Sequence, residues 1–489
     1  MKRSISLKRV QKYLRLSSFG SNKGTLVKYQ MASYHISPFL LKKKKKEDIT
    51  GIMQPIKGTR DFNPEEQRIL DYIKDKWYHS SKLFNFDHYS TPIVESYDLY
   101  EKKTEGTNFE EDLKKEMYQF QDFSGQKLAL RPEQTPSMAR LVLKEGPKII
   151  KPIKWYTIAQ CWRYESTSPG RKREHYQWNV DIWGSKDVHV EAEILSLAVH
   201  FLKSIGFNSN DIVIRISSRQ VLYNYLFDDL EDEEKLKKAS FEKVCAVVDK
   251  LKKLNVEEIN DHLDSITPPL PSSVKEKVLS LTTLDKKEVE ALFFENERMH
   301  QLNSLLKAYK LEDWCEFDIS IIRGLAYYTD TVFEGYTKNS NSYVGSRALF
   351  GGGRYDDLIN QYDSKSHSPA VGFGFGDIVL LELMKEKKLV PDLVPSIQDF
   401  VVPFPKSNME SLAAEIVSSL RFKHGRVADI PLIKNWNLRK AFNYADRVGA
   451  ERVILVAPDE VSRSMVTVKY LRETDESKKQ EEISLQELL

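Results

Sequence analysis

Cysteine is scarce in this 489-residue chain. Cys161, Cys245 and Cys315 are scattered and odd in number, which fits neither a disulfide framework nor a zinc cluster and points to a reducing compartment. No uninterrupted apolar run is long enough to span a bilayer, and no internal repeat is visible. Acidic residues are missing altogether from the first 46 positions. That absence is hidden in the totals, 74 Lys and Arg against 71 Asp and Glu. Residues 1–50 hold 13 of the cations and only Glu47 and Asp48, so the remaining 439 residues carry 61 basic and 69 acidic side chains, a net of −8. The body of the chain therefore lacks the excess of a general nucleic-acid binder, and any nucleic acid must meet local basic patches.

The acid-free leader contains seven serines and spaced Lys and Arg among Ile5, Leu7, Val10, Leu14 and Leu16. Read as a helix, its basic and apolar positions separate onto two faces, the composition of an organellar transit peptide. The same stretch also reads as a disordered basic tail, or as a nuclear signal built on Lys42–Lys46. We take the transit reading, mitochondrion ahead of plastid; Met31 and Met53 offer starts for shorter, cytosolic products.

The length calls for two to four domains. A helical pattern runs through Ile69, Leu70, Ile73 and Trp77. Residues 86–100 read as a strand interrupted at Pro92, which suits an edge or an interface. Two strands follow, Trp155–Trp162 and His175–Trp183, joined by a cationic loop, Ser166-Thr-Ser-Pro-Gly-Arg-Lys-Arg173. A helix is expected at about 187–204 and a short strand near 211–217. Residues 219–312 are charged, helical in period and broken by Pro268, Pro269 and Pro271, as in an inserted helical subdomain. Strand-like sequence returns at 317–335, Gly351–Arg354 reads as a tight turn into a helix, and Ala370–Leu383 runs from a glycine-rich strand into an apolar helix. After a linker near Pro391–Pro395, alternating patterns predict a small α/β domain of about 90 residues.

Four segments carry chemistry. In Leu130-Arg-Pro-Glu-Gln-Thr-Pro-Ser137, a carboxylate and a hydroxyl two residues apart on an extended strand share a side and could hold an ammonium group. Taken alone, Thr135-Pro-Ser reads better as a helix cap. Arg163 and Glu165 end one strand of the hairpin, and Gln177 and Asp181 share a face of the other. Such groups in mid-sheet are costly unless they meet a ligand or form a buried ion-pair network. Arg171, Lys172 and Arg173 suit phosphates, or merely solvate a loop tip. In Arg323-Gly-Leu-Ala-Tyr-Tyr-Thr-Asp330, Gly324 permits close approach of a ligand, and Tyr327 and Tyr328 are expected on opposite faces of the following strand, where aromatics usually pack as core. A guanidinium such as Arg323 can hold a carboxylate and a phosphate together. Gly351-Gly-Gly-Arg-Tyr-Asp-Asp357 and Ala370-Val-Gly-Phe-Gly-Phe-Gly376 admit backbone approach to a base or phosphate, but glycine also serves plain turns.

In this order the segments resemble the histidyl-tRNA synthetases, a class II aminoacyl-tRNA synthetase family, from about residue 54 to the end. Lys57-Gly-Thr-Arg-Asp61 is similar to the family's opening, Pro92 sits where the dimer-interface motif places its proline, and the hairpin looks like class II motif 2. Arg323–Tyr328 and Gly352-Gly-Arg-Tyr-Asp356 match the two histidine-specific segments. The resemblance implies an α/β (α+β) fold: an antiparallel class II sheet flanked by helices in residues 51–218 and 313–388, a helical insertion at 219–312, a linker at 389–398, and a C-terminal α/β anticodon-binding domain at 399–489. It implies a homodimeric histidine–tRNA ligase that uses ATP, with Mg²⁺ held mainly by the ATP phosphates and no structural metal. The residue roles it implies place Glu133, Thr135 and Gln177 at the histidine amino group and Asp181 and Tyr328 at the imidazole, with Gln134 and Tyr327 also in the histidine site. ATP would meet Arg163, Glu165, His175, Gly352 and Arg354, while Arg323 bridges the histidine carboxylate and the α-phosphate.

Four departures stand out. Motif 3 normally ends in an arginine on the ATP γ-phosphate, but Gly376-Asp-Ile-Val379 puts Val379 there. Arg171, Arg173 and Arg354 are the candidates to replace it. His175 stands where Phe often stacks on adenine, Asp181 where many bacterial members have Glu, and Ser166–Ser168 where many have basic loop residues. An idle paralogue, such as the subunit that regulates ATP phosphoribosyltransferase, is the alternative for which Val379 speaks. Arg163, Arg323 and the anticodon-type domain speak against it, and the net −8 argues against a purely oligonucleotide-binding protein.

Overall fold

Helix α1 (Pro64–Leu83) starts where Asn63 supplies a cap. Its Oδ1 accepts from the amides of Glu65 and Glu66 at 2.9 and 3.0 Å, and the Glu66 carboxylate accepts from the Asn63 amide at 3.0 Å. This reciprocal pairing satisfies amides that the first turn leaves open, and Pro64 needs no partner there. The computed structural model describes residues 53–489 except 105–114, 229–233, 253, 323–326, 340, 346, 394–396 and 433–435. The leader expectations, Arg323 and Gly324 therefore lie outside the described residues.

Strands β1 (Asp87–His88) and β2 (Val94–Ser96) flank Pro92, but Asp98–Thr104 is helix α2, so the long strand expected over 86–100 is two short ones. Strands β3 (Gln119–Gln121) and β4 (Lys127–Leu130) join β2 in a small sheet, followed by helix α3 (Thr135–Glu145). The hairpin comprises β5 (Ile153–Trp162) and β6 (Glu174–Trp183), and helix α4 (His189–Ser204) and β7 (Ile212–Ser218) come next. Six helices then run from α5 (Arg219–Phe227) to α10 (Glu297–Ala308). After them come β8 (Cys315–Phe317), β9 (Thr331–Thr337), β10 (Phe350–Arg354), helix α11 (Leu358–Tyr362), β11 (Ala370–Gly376) and helix α12 (Asp377–Glu386). The glycine run 351–353 is thus the middle of a strand, not a turn, because it is paired on both sides, to β9 and to β11.

The main sheet has the order β1-β5-β6-β11-β10-β9-β7-β8, antiparallel except for the outer pairs β1–β5 and β7–β8. One face is aromatic. Trp178, Phe373, Phe375, Phe350 and Phe333 pack under α1 and α4, with Trp77 stacked on Trp178 at 6.0 Å and Phe350 on Phe375 at 4.9 Å. Large rings there bury enough apolar area to dominate the core. The other face carries almost no bulk at its centre, since Gly372, Gly374 and Gly376 pair with Asp181, Asn179 and Gln177, and Gly353 and Gly351 lie beside Gly372 and Gly374.

A second sheet, ordered β13-β12-β14-β15-β16, is built from β12 (Asp399–Pro403), β13 (Ala428–Asp429), β14 (Arg452–Val456), β15 (Met465–Tyr470) and β16 (Gln480–Ser484). It is covered by Glu410–Phe422 and Leu438–Arg447, whose apolar residues pack on opposite faces. The patterns at 399–456 showed in the sequence; β15 and β16 did not.

Gly352 lies on the aromatic face, where an added Cβ would sit 2.1 Å from the Gly372 carbonyl oxygen and 2.8 Å from the Phe333 ring. At Gly376 it would meet nothing within 4 Å. Gly352→Ala should therefore cost about 3 kcal/mol or more, and Gly376→Ala less than about 1 kcal/mol. Chemical denaturation of the two variants checks this, and equal costs would refute the close approach of β10 and β11.

Candidate active site

Alternation along β6 brings His175, Gln177, Asn179 and Asp181 to the glycine face. The missing Cβ atoms make room for them. A methyl at Gly372 would lie 2.1 Å from Asp181 Oδ1, and one at Gly374 would lie 2.4 Å from Gln177 Nε2. Gln177 donates to Asn179 Oδ1 at 2.9 Å and faces His175 Nε2 through its Oε1 at 3.1 Å. Burial, reinforced by Arg163, pushes the His175 imidazole down to about 4, so the ring is neutral at pH 7.

Asp181 is 2% exposed. Its Oδ1 accepts from the Tyr355 hydroxyl, while Oδ2 is buried without a partner. Three tyrosines gather beside it, Tyr327 and Tyr328 at 4.8 Å between ring centres and Tyr327 and Tyr355 at 5.6 Å. The two adjacent tyrosines were expected on opposite strand faces. They precede β9 rather than lying in it, so strand alternation does not apply and both rings enter one cluster with Trp183, Val332 and Ala370. Tyr355 is a site residue that the sequence reading did not single out; the glycine at 372, which vacates its place, was the signal. An unpartnered carboxylate oxygen costs on the order of 1–3 kcal/mol, a cost that a ligand N–H would remove.

Glu133, Gln134 and Thr135 are buried at the start of α3. The extended-strand reading of this segment gives way, since Thr135 is the first helical residue, and the cap reading fails too, since no side chain caps α3. The segment is instead pinned from outside. Arg131 donates to the carbonyls of Gln160 and Thr91 at 2.8 and 2.9 Å, Arg163 Nε donates to the Pro132 carbonyl at 2.9 Å, and Gln134 Nε2 to Thr91 Oγ1 at 2.8 Å. Gln134 Oε1 remains buried without a partner. Asp181 Oδ2 and Gln134 Oε1 are thus two buried acceptors that a donor on a ligand could satisfy.

Arg163 and Glu165 lie just beyond β5, which ends at Trp162. Arg171 Nε contacts Glu165 Oε2 at 2.6 Å, and Arg163 Nη1 lies 3.7 Å from Oε1. Arg173 stacks on Tyr164 at 3.8 Å and donates to the Glu165 carbonyl. Arg60, in the opening segment, clamps the hairpin to α12 by binding Glu174 at 2.7 Å and Asp377 at 2.9 Å, and Asp377 also accepts from the Tyr176 amide.

Two expected ATP contacts are corrected. Arg354 is 2% exposed and its donors are taken by Glu191, Asp356 and the carbonyls of Ser185 and Asp187. It locks β10 to α4, on the face away from the glycine floor, and has no donor left for a phosphate. Gly352 likewise turns to the aromatic core, and its neighbours Gly351 and Gly353 face the pocket. Among the described residues no group of three His, Cys, Asp or Glu could hold a metal ion.

The family model for histidyl-tRNA synthetase matches residues 58–376. The chain is 38% identical to the chloroplastic/mitochondrial histidine–tRNA ligase of Arabidopsis thaliana, over 86% of this chain and 83% of that one. It is 32% identical to the histidine–tRNA ligase of Pyrococcus furiosus, over 90% of this chain and 98% of the other. Among solved structures, the histidyl-tRNA synthetase of Nostoc sp. PCC 7120 superposes with a TM-score of 0.66 at 21% identity, covering 89% and 97% of the two chains.

Burial pushes the Asp181 carboxyl up to about 7, against the pull of the Tyr355 hydroxyl. In the unfolded chain it titrates near 4. Folding thus binds this proton more tightly, and the folded state loses stability as the pH rises from about 4 to about 7. Asp181→Asn removes that loss, so its melting temperature relative to wild type should rise by about 2–4 °C or more between pH 5 and pH 8. A difference independent of pH would mean that Asp181 titrates as an ordinary carboxyl.

Proposed function

Since the chain belongs to the histidyl-tRNA synthetase family and is a histidine–tRNA ligase, we propose how its residues share that work. The observation that carries the assignment is the buried, unpartnered Asp181 Oδ2 within a ring of tyrosines. A histidine imidazole brings the N–H this oxygen lacks and a flat ring for Tyr327 and Tyr328. Glu133, Gln134, Thr135 and Gln177 then surround the α-amino group. A site built on such hydrogen bonds rejects analogues lacking them by roughly 10⁴–10⁵, which is why no separate editing domain is needed.

ATP, the family's second substrate, enters over the hairpin. Arg163 meets the α-phosphate and Glu165 the adenine end, where neutral His175 offers a stacking surface. Mg²⁺ arrives bound to the outer phosphates. Arg323, which lies outside the described residues, bridges the histidine carboxylate and the α-phosphate by its place in the family motif. Carboxylate attack on the α-phosphorus forms histidyl-adenylate and releases pyrophosphate; the terminal ribose hydroxyl of tRNA-His then displaces AMP. Positioned cations stabilise the charge that develops at phosphorus. Residues 219–312 flank the acceptor arm, and residues 399–489 form the anticodon-binding domain. Exposed Val94 and Phe120 on the small sheet near Pro92, and Phe123 in its β3–β4 turn, support a homodimer. The likeness to the Arabidopsis enzyme and the acid-free leader support an organellar form, which we assign to the mitochondrial matrix.

The chain lacking residues 1–50 should charge tRNA-His with histidine, whereas histidine binding without charging would favour the regulatory paralogue. In that assay Asp181→Ala should raise the histidine KM by about two orders of magnitude, with the ATP KM little changed; an unchanged histidine KM would place the imidazole elsewhere. Residues 1–50 fused to a fluorescent protein should direct it to mitochondria, and a cytosolic or nuclear signal would reject the transit reading.

A further inference from the structure

The position left by Val379 at the motif 3 site is not empty of cations. Val379 lies in the first turn of α12, 8% exposed. Around Gly170, in the hairpin loop, a point one Cβ away from the backbone is 2.9 Å from Arg347 Cδ and 3.3 Å from Val379 Cγ2. The two side chains therefore meet at the same spot, no more than about 6 Å apart. The backbone brings them there. The Leu349 carbonyl accepts from the Gly376 amide at 3.3 Å, which ties the approach to β10 to the start of α12.

Arg347 is also less engaged than the three arginines considered as replacements. Arg171 is engaged by Glu165, Arg173 lies flat on Tyr164, and Arg354 is consumed by Glu191. Arg347 donates through Nη2 to Ser168 Oγ at 2.8 Å, and no carboxylate among the described residues lies in ion-pair range of it. Arg163, Arg171, Arg173 and Arg347 together share one paired acid, Glu165. Such a cationic excess, with one guanidinium fork open, suits a polyanion. Partial burial and the nearby Arg171 make the Arg347 charge less comfortable without one.

We propose that Arg347 replaces the motif 3 arginine as the ligand of the terminal phosphates of ATP, reaching from the segment before β10 the position that a side chain at 379 would otherwise occupy. This rests on the ligase assignment above. The arginine has moved in sequence while its guanidinium stays in place, and Val379 supplies the space beside it. Ser168, where relatives carry basic loop residues, then serves to orient the fork.

The test measures equilibrium binding of ATP and of AMP to the full chain, with histidine KM from pyrophosphate exchange. Arg347→Ala should weaken ATP at least tenfold and leave AMP and the histidine KM within about twofold, because only ATP has the terminal phosphates. Arg347→Lys, with charge but no fork, should fall between. The double variant Arg347→Ala/Val379→Arg, which returns the cation to α12, should recover most of the loss. ATP affinity unchanged in Arg347→Ala, or equal losses for ATP and AMP, overturns the proposal. Binding is read without catalysis, so a wild-type chain that binds ATP but performs no exchange sinks the ligase assignment and leaves this comparison readable.

Discussion

The site depends on one steric constraint, a sheet face from which side chains have been removed. Along β11 every second residue, Gly372, Gly374 and Gly376, faces Asp181, Asn179 and Gln177. An alanine methyl at Gly372 would overlap Asp181 Oδ1 and crowd the Tyr355 hydroxyl. Polar side chains can lie across the sheet there only because the neighbouring strands give up theirs. The intervening residues do the opposite, and Phe373 and Phe375 put rings into the core with Trp178 and Phe350. One period-2 pattern thus makes the core and the cavity together.

Fixed ion pairs hold the walls of that cavity. Arg60 ties the opening segment, the hairpin and α12 through Glu174 and Asp377. Glu191 gathers Arg354 and Arg298, which joins β10, α4 and α10. Buried pairs of this kind add little net stability over apolar packing, but they are costly to break and so specify one arrangement. Asp181 Oδ2 and Gln134 Oε1 are among the buried polar atoms left without a partner. Residue types are divided, with tyrosines gathered beside Asp181 and the arginines Arg163, Arg171 and Arg173 at the hairpin.

Much was legible in the residues themselves. β5 and β6 show through alternation, α1 through its cap, and β11 with α12 through glycine giving way to apolar helix. Gln177 and Asp181 follow from spacing alone, since a strand four residues long in step must return to one face. Arg354 was misjudged because an arginine beside glycines looks the same whether its partner is a phosphate or a buried glutamate. Gly352 was misjudged because three consecutive glycines do not reveal which of them faces which side until both neighbouring strands are in register.

The sequence by itself determined the hairpin and most of the longer elements, the residue types of the site and the family, because periodicity and motif order are local properties of the chain. Only the tertiary structure decided which polar groups are spent and which are open. Tyr355 and Asp181 are 174 residues apart, and Arg347 and Ser168 are separated by 179. No local pattern records such pairs, since packing the hairpin against β11 and α12 is what brings them together. The motif 3 arginine shows the difference most plainly: the chain lacks it at position 379, and the fold sets Arg347 beside the place where it would have been.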